Sequence, residues 1–364
     1  MPAGVTLTSA AFGTGSGIVT FVVPPNSGGD LVDPFVIGGQ PFTIEQQAAS
    51  IPGLSFIGSM PHIAAEENWT TTFTLVNQTS SSNQARLSLF GSNLDATGSG
   101  NPLPLPLTFP QQLAGWVVPG WEPGPGPALL GASIDNTLPP FASWIVSTAV
   151  QPAPTSLTGS AQVLATGDLG GFAIFHRNTD NQEAVVPLTP GTPNAPAYLL
   201  SFDNTGGIVT AVAVANVAPR AASIGYILRN DSGGQIASGA LALPASGQTS
   251  FALPDPVNGF PATVGIRGTV EFDAPVGGQI SVLGIRNTPQ VTTSGTVTTL
   301  TTVPALANVG AGGGGSIANV AAGGGSFAFI ASGVKRGSVL RKSVLSSLVF
   351  SFIAPVRKPF PSGL

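Results

Sequence analysis

Short runs in which apolar and polar residues alternate constrain the fold of this chain more than any other feature. Trp69 to Asn77 and Ile208 to Asn216 are the clearest of them. Further runs are Gly17 to Pro24, Ala85 to Gly91, Ser160 to Ala165, Ser223 to Asn230 and Gly268 to Asp273. A period of two places the apolar side chains on one face of a β-strand, whereas helical periodicity is nearly absent. The 48 glycines and 34 prolines supply turns, so the pattern predicts an all-β fold of short antiparallel strands.

The middle of the chain is duplicated. A shift of 139 positions places Trp69, Thr71, Phe73, Leu75 and Asn77 on Ile208, Thr210, Val212, Val214 and Asn216. Residues 159–178 resemble residues 268–287 at a shift of 109, and both segments end in Arg-Asn. A slip of one residue would turn every side chain to the other face of a sheet, so the preserved phase indicates two copies of one design. The change in shift places a Pro- and Gly-rich insertion at about 94–127 in the first copy.

We therefore expect tandem immunoglobulin-like β-sandwich modules, because sandwiches bury one face of each alternating strand. The predicted boundaries are 53–195 for repeat 1, which carries the insertion, and 196–307 for repeat 2. A partial β module at 1–50 precedes them, and a Gly-rich linker at 308–334 follows and begins a truncated third repeat. Residues 335–364 are expected to form an irregular basic tail. Each module is expected to close its own core, like beads on a string.

Charged residues are few and unevenly distributed. They make up 8% of the chain, and all three lysines lie within the last 30 residues. Residues 1–334 contain six arginines and 16 acidic residues, without a basic stripe for phosphate groups, which argues against a nucleic-acid partner. Two hypotheses account for the break in composition: a frameshift or fusion near Gly325, or a basic amphipathic tail that contacts a membrane or a partner.

Targeting signals are not evident in the sequence. Its most apolar stretch, Val344 to Ala354, has 11 residues, whereas a membrane span needs about 20. We therefore predict no membrane span. The N-terminal segment Met1 to Ala11 lacks the basic and apolar regions of a signal peptide. The expectation is that the chain either stays inside the cell or is a fragment of an exported protein.

Two segments near the N-terminus carry a resemblance to a known family. Residues 15–23, followed by Pro25-Asn26, and residues 37–46 resemble the C-terminal part of a BACON domain, an immunoglobulin-like module common in bacterial secreted proteins. Leu31 to Pro34 stands where that family usually has Arg-x-Gly. Residues 53–307 look like a repeat found downstream of such domains. The resemblance implies an extracellular or cell-surface location and a non-catalytic role, and the BACON family has been proposed to bind carbohydrate or mucin.

No constellation in the sequence supports catalysis. Cysteine is absent and the two histidines are His62 and His176, which leaves no thiolate chemistry and no zinc set. The nucleophile signature G-x-S-x-G does not occur, and neither histidine is accompanied by an indicated acid and serine. The acidic residues tested as a glycosidase pair are interpreted as solvated charges: Glu66, Glu67, Glu122, Glu183, Glu271 and Asp273. We predict no enzyme activity, no metal and no cofactor.

The candidate ligand-binding residues lie in the insertion. Trp116, Trp121 and Glu122 are placed among prolines and glycines that only the first copy contains. The two rings would stack on a sugar or on another apolar partner if exposed, or would anchor the loop on the sheet if buried. Arg177-Asn178 and Arg286-Asn287 end equivalent strands, which favours a structural role over a duplicated ligand site.

The sequence thus predicts a non-catalytic secreted or cell-surface modular protein in adhesion, extracellular structure or carbohydrate binding. A glycan or another surface protein would be its partner, together with self-association through sheet edges. Two alternatives remain open: an accessory region of a secreted hydrolase, and a self-assembling fibre or matrix subunit.

Overall fold

The structure is a computed structural model that describes residues 6–8, 20–23, 31–37, 40–46, 49–92, 98–111, 128–150, 155–191, 195–276, 278–292, 295–308, 317–320 and 326–328. All of these residues belong to one structural unit, 1–330. No α-helix occurs among them, and the helical structure they contain is of the 3-10 type, at Pro261–Thr263 and at residues 110–111. The predicted all-β class is therefore confirmed for the described part of the chain.

The strands follow one another in three groups. The first group is β1 (Thr6–Leu7), β2 (Phe21–Val22), β3 (Leu31–Ile37) and β4 (Gln40–Gln46). Repeat 1 contains β5 (Ser55–Ala65), β6 (Trp69–Asn77), β7 (Asn83–Gly91), β8 (Leu105–Thr108), β9 (Leu129–Gly131), β10 (Ser133–Leu138), β11 (Ser143–Thr148), β12 (Leu157–Ala165), β13 (Leu169–Arg177), β14 (Gln182–Pro187) and β15 (Thr189–Pro190). The third group is β16 (Ala197–Asp203), β17 (Val209–Asn216), β18 (Ala222–Asn230), β19 (Gln235–Leu243), β20 (Gln248–Ala252), β21 (Arg267–Asp273), β22 (Ile280–Thr292), β23 (Gly295–Pro304), β24 (Leu306–Asn308), β25 (Ile317–Val320) and β26 (Ser326–Ala328).

Four large antiparallel sheets contain nearly all of these strands. Sheet A has the order β10-β7-β12-β5-β15, and sheet B has the order β14-β13-β6-β11-β8-β9-β3-β4. Sheet C has the order β19-β18-β21-β16-β24-β25-β26, and sheet D has the order β23-β22-β17-β20. The first five strands of sheet C thus repeat the five strands of sheet A, and sheet D repeats the first four strands of sheet B. The duplication read from the sequence is therefore also a duplication of strand order.

The two repeats share buried surface. The four sheets form a propeller-like ring of four blades, and adjacent sheets pack face to face. Phe73 of sheet B and Leu87 of sheet A lie in one core, which Leu283 of β22 also joins. Ile280 and Val282, on the opposite face of β22, belong to the core of repeat 2. Each repeat therefore has a core cluster of its own, and β22 joins the two clusters because both of its faces are buried.

Strand alternation explains why these segments pair as they do. In β6 the burial alternates along the strand, with Thr71, Phe73, Leu75 and Asn77 buried and the residues between them half-buried. β6 has the bounds that the alternation predicts, and β17 begins one residue later than predicted. Predicted strand positions were thus reliable where one face is apolar.

A duplicated threonine fixes the connection from the first strand of each repeat to the second. The Thr71 hydroxyl donates to Ala64 O at 2.6 Å and accepts from Ala64 N at 3.1 Å. The Thr210 hydroxyl makes the same two bonds with the backbone of Asp203, both at 3.0 Å. Each threonine is buried, so its hydroxyl can satisfy backbone groups that would otherwise lack partners.

A duplicated asparagine ends the second strand of each repeat. Asn77 Nδ2 donates to carbonyl oxygens, the nearest of them Ser81 O at 2.7 Å, and Oδ1 accepts from Thr79 N at 3.0 Å. Asn216 Nδ2 donates to Arg220 O and Pro244 O at 2.8 and 2.7 Å. Both asparagine side chains are fully buried. Their hydrogen bonds stabilise the turns that follow β6 and β17, so we assign both asparagines a structural role.

A duplicated glycine marks the closest approach of two strands. A Cβ at Gly159 would lie 2.1 Å from Phe90 O, and a Cβ at Gly268 would lie 1.9 Å from Arg229 O. Phe90 and Arg229 are themselves related by the shift of 139 positions. The same contact therefore occurs in both repeats, and neither site has space for a side chain.

We expect Gly268→Ala to lower the free energy of unfolding by about 1 to 3 kcal/mol, because β21 must move away from β18 to admit the methyl group. Urea unfolding measures this change. Gly234→Ala is the matched control, since its Cβ would meet only the side chain of Asn230, at 3.3 Å. Equal stability of the two variants would contradict the close-approach explanation.

Candidate functional site

The residues that the sequence singled out for ligand binding cannot be placed. Trp116, Trp121 and Glu122 lie outside the described residues, so their role stays a prediction. Of the other two tryptophans, Trp144 is buried in the core of repeat 1 and Trp69 packs against that core. Both tryptophans therefore belong to the packing of repeat 1.

The two histidines lie in different environments. His62 is buried, its ring meets the Phe175 ring edge-on at 5.1 Å, and its Nδ1 has no hydrogen-bond partner. Burial lowers the pKa of His62 from 6.5 to about 4, so the ring is neutral at physiological pH. His176 is partly exposed, with Nδ1 3.6 Å from Glu183 Oε2. The structure does not bring the two histidines together with an acid and a serine in a triad geometry.

Four of the described acidic residues form ion pairs with arginines: Asp135, Asp180, Asp203 and Glu271. Glu271 Oε2 lies 2.5 Å from Arg229 Nη1, and Asp273 follows two residues later on the same face of β21. Burial, followed by the neighbouring Glu271 charge, raises the pKa of Asp273. No group of three or more metal-ligating side chains occurs among the residues that the structure describes.

The arginines of the repeated Arg-Asn pairs both bind carboxylates. Arg177 donates to both carboxylate oxygens of Asp180, at 2.9 and 2.6 Å, and its guanidinium lies 5.6 Å from the Trp69 ring centre. Arg286 approaches Asp203 Oδ2 at 3.6 Å, and Arg267 Nε reaches the same oxygen at 3.0 Å. These ion pairs favour the structural interpretation of the repeated Arg-Asn pairs.

Asp203 is the centre of the ion-pair network in repeat 2. Its burial opposes ionisation, but hydrogen bonds from Thr205 and from the Arg267 guanidinium outweigh that cost and lower the pKa of Asp203 to about 2. Thr205 donates through both its backbone N, at 3.0 Å, and its hydroxyl, at 2.7 Å. The network therefore keeps a turn in place with a permanently charged carboxylate.

A cleft of about 490 Å³ lies between the two repeats. Repeat 1 contributes residues of β5 and β12, and repeat 2 contributes the segments that flank β17, β20 and β22. The residues that matter chemically are Phe56, Gln162, Leu164, Val217, Ser246 and Gln279. The described lining contains no charged side chain, and its volume lies in the usual range of small-molecule pockets.

Gln162 is the distinctive residue of this cleft. It lies on β12 between the core residues Ala161 and Val163, so its side chain points to the outer face of sheet A. Its residue exposure is 8%, yet its Nε2 atom has no hydrogen-bond partner. An unpaired buried amide costs about 1 to 3 kcal/mol, so such a group calls for an explanation.

Polar contacts between the repeats hold the walls of the cleft. Ser99 Oγ donates to Gln248 O and accepts from Gln248 N, both at 2.9 Å. Gln248 Nε2 in turn donates to Pro61 O at 3.2 Å. Gln279 Nε2 donates to Gly191 O at 2.8 Å, which leaves its Oε1 as an acceptor in the cleft. The insertion, through Ser99, thus fastens repeat 2 to repeat 1.

The sequence alone did not indicate the cleft. More than a hundred positions separate Phe56 from Gln162, and more than a hundred separate Gln162 from Gln279. The three residues share no sequence motif. The one available signal was Gln162 itself, a polar residue in a run of apolar and small residues. That signal is weak, because alternation makes an outward-facing polar residue ordinary in a strand.

Comparison with protein-family models, curated proteins and solved structures finds no significant match to this chain. Among the described residues, no helix has the length and apolar character needed to cross a membrane.

Proposed function

We propose that the protein is a non-catalytic binding protein that recognises an uncharged carbohydrate in the cleft between its repeats. The observation that carries the proposal is the unpartnered, buried amide of Gln162 in a cleft without described charges. A ligand hydroxyl would accept a hydrogen bond from Gln162 Nε2 and would relieve the cost of the unpaired group.

The chemistry of the lining supports a sugar over other uncharged ligands. Phe56 is half-buried and offers a ring on which the C–H face of a sugar can stack. Gln162 supplies a donor, Gln279 an acceptor, and Ser246 a hydroxyl that can do either. A sugar ring combines apolar faces with hydroxyls in this manner, whereas a charged ligand would find no counter-charge among these residues.

An immunoglobulin-like sandwich in each repeat is part of the proposal. In that fold strand B pairs with E, and strand C pairs with F. The pairing of β6 with β11 and β7 with β12, and of β17 with β20 and β18 with β21, supports this. The first and seventh strands differ from that arrangement, because β5 pairs with β12 and β13 pairs with β6.

The resemblance of residues 15–46 to a BACON domain supports an extracellular or cell-surface location and a role in adhesion or extracellular structure. In the described part, β3 and β4 extend sheet B of repeat 1 by way of β9. Fractionation of cells that carry the native gene tests the location. Recovery of the chain only from the cytoplasm would contradict it.

Binding to a panel of neutral oligosaccharides, measured by glycan array and then by calorimetry, tests the proposed function. We expect Phe56→Ala and Gln162→Leu each to weaken the best binder by about tenfold, which corresponds to the loss of one stacking or one hydrogen-bonding contact. Phe141→Ala and Gln84→Ala are matched controls, since both residues are exposed and lie outside the cleft lining. The same panel is assayed for hydrolysis.

Three results would contradict the proposal: no binding to any neutral oligosaccharide, hydrolysis of one of them, or binding that the cleft variants leave unchanged. If Trp116→Ala abolished the binding while both cleft variants retained it, the insertion would be the binding site. Folding of each variant is checked by its thermal unfolding temperature, so that a general loss of structure is not read as a lost contact.

A further inference from the structure

The outer strand of sheet C is an unusually open edge. β19 (Gln235–Leu243) pairs with β18 and has no other pairing partner among the described residues. Six of its nine residues are exposed. It contains no charged residue and no proline, which are residues by which natural proteins block an edge, and its one irregularity is a β-bulge at Ile236.

The equivalent strand of repeat 1 is protected. β10 (Ser133–Leu138) occupies the same end of sheet A but is three residues shorter than β19. It carries Asp135, whose carboxylate pairs with Arg86 at 2.7 Å. The two repeats therefore differ at equivalent edges: the edge strand of repeat 1 is short and charged, whereas the edge strand of repeat 2 is long and uncharged.

The inner face of β19 is held in place, so the edge is a defined surface. Tyr226 of β18 lies over Gly239, where a Cβ would come within 2.6 Å of the Tyr226 hydroxyl. The Tyr226 ring packs on Phe260 with 4.3 Å between ring centres. Ala237 and Leu241 pack against the core of repeat 2. The strand thus presents ordered backbone groups along its outer side that no other described strand pairs with.

We propose that β19 pairs with β19 of a second copy of this chain, antiparallel and with Gly239 at the two-fold axis. Antiparallel strand edges are self-complementary in hydrogen bonding, as a two-fold symmetric contact requires. The side chains of β19 are small, so the backbone provides most of the recognition. The absence of charge on β19 also removes like-charge contacts that would oppose the pairing of two acidic bodies.

Side-chain fit selects a second copy as the occupant. With Gly239 on the axis, Ile236 of one copy, which is the extra residue of a β-bulge, lies at the end of the contact next to Ala242 of the other. Ile236 is 36% exposed. Ala242 lines a shallow apolar groove of about 530 Å³, together with Ala222 and Leu243. The second copy thus supplies both the strand and the apolar side chain that this groove fits.

Sedimentation analysis over a range of concentrations tests the proposal. We expect the 36.3 kDa chain to form a dimer as its concentration rises. Ile236→Lys should weaken that dimer by at least about tenfold, because it would bury an unpaired charge at the contact. Val257→Lys is the control, since Val257 is 84% exposed and lies in a distant segment. A chain that stays monomeric at all concentrations, or an Ile236→Lys variant that dimerises normally, would overturn the proposal.

A cross-link tests the register separately. The chain has no cysteine, so Ile236→Cys/Ala242→Cys introduces the only thiols. Six residues of extended strand span about 20 Å, which prevents a disulfide within one copy. Mild oxidation should give a covalent dimer faster than it does for Ile236→Cys/Val257→Cys. Equal rates for the two double variants would reject the proposed register.

Discussion

Replacement of Asn77 by alanine should lower the free energy of unfolding by about 3 kcal/mol or more, because several buried partners lose their hydrogen bonds at once. Nδ2 of Asn77 donates to Ser81 O, Leu138 O and Pro139 O at 2.7, 3.1 and 2.9 Å. These carbonyls belong to two different turns. Alanine would leave the carbonyls without this donor and would create a small cavity.

The acceptor side of Asn77 adds to the loss. Its Oδ1 accepts from Thr79 N, from the Thr79 hydroxyl and from Asn83 Nδ2, at 3.0, 2.9 and 2.8 Å. Asn83 is itself buried. A single side chain therefore connects the turn after β6, the turn before β11 and the start of β7. Thermal and urea unfolding both measure the expected loss.

Two other asparagine variants provide comparisons for the loss of stability in Asn77→Ala. Asn136 is exposed and its Oδ1 accepts from the adjacent Thr137 N, so Asn136→Ala should change stability by less than about 0.5 kcal/mol. Asn216→Ala, the equivalent change in repeat 2, should be intermediate because fewer bonds to the Asn216 side chain are lost. If Asn77→Ala were as stable as Asn136→Ala, the structural role of the Asn77 side chain would be refuted.

The protein should also lose stability as the pH falls from about 6.5 to about 4, and His62 is the cause. In the unfolded chain His62 has a pKa near 6.5, whereas burial lowers its pKa to about 4 in the folded protein. Between these values the unfolded chain binds a proton that the folded protein does not. The stability contribution is therefore complete above pH 6.5 and is lost as the pH falls to 4, by about 3 kcal/mol.

Urea midpoints between pH 7 and pH 4 measure the His62 effect. His62→Phe and His62→Leu should flatten the pH profile in this range, since neither side chain titrates and both suit the apolar contact with Phe175. Asn136→Ala, which removes no titratable group, should keep the wild-type profile. Carboxylates with a lowered pKa, such as Asp203, act at lower pH and do not overlap this window. An unchanged slope in both His62 variants would contradict the explanation.

The agreement between sequence and structure is best where local alternation and burial coincide. β6 and β18 lie where the alternating runs predicted them, because one face of each strand is apolar and the other is not. The shift of 139 positions even relates the carbonyls of Phe90 and Arg229 that face the two crowded glycines. Local pattern was sufficient for such features, since each depends on residues that are close in sequence or repeated.

The candidate site could not be obtained in this way. Gln162 and Gln279 are ordinary outward-facing amides in their own segments, and only the packing of repeat 2 on sheet A brings them to one cleft. The burial of both faces of β22 was also not predictable, because an apolar run in the sequence does not show which neighbouring sheet covers each face of the strand. Trp116 and Trp121 remain the sequence-based candidates for ligand binding.

By itself, the sequence determined the β class, the positions of the main strands and the existence of two copies, because a period of two and its repetition are properties of the chain alone. Tertiary structure decided that β22 joins the cores of the two copies, that a cleft lies between them whose described lining is uncharged, and that β19 has one pairing partner among the described strands. Those features depend on which distant residues meet. Contacts of that kind are set by the packing of whole sheets, and no local pattern encodes them.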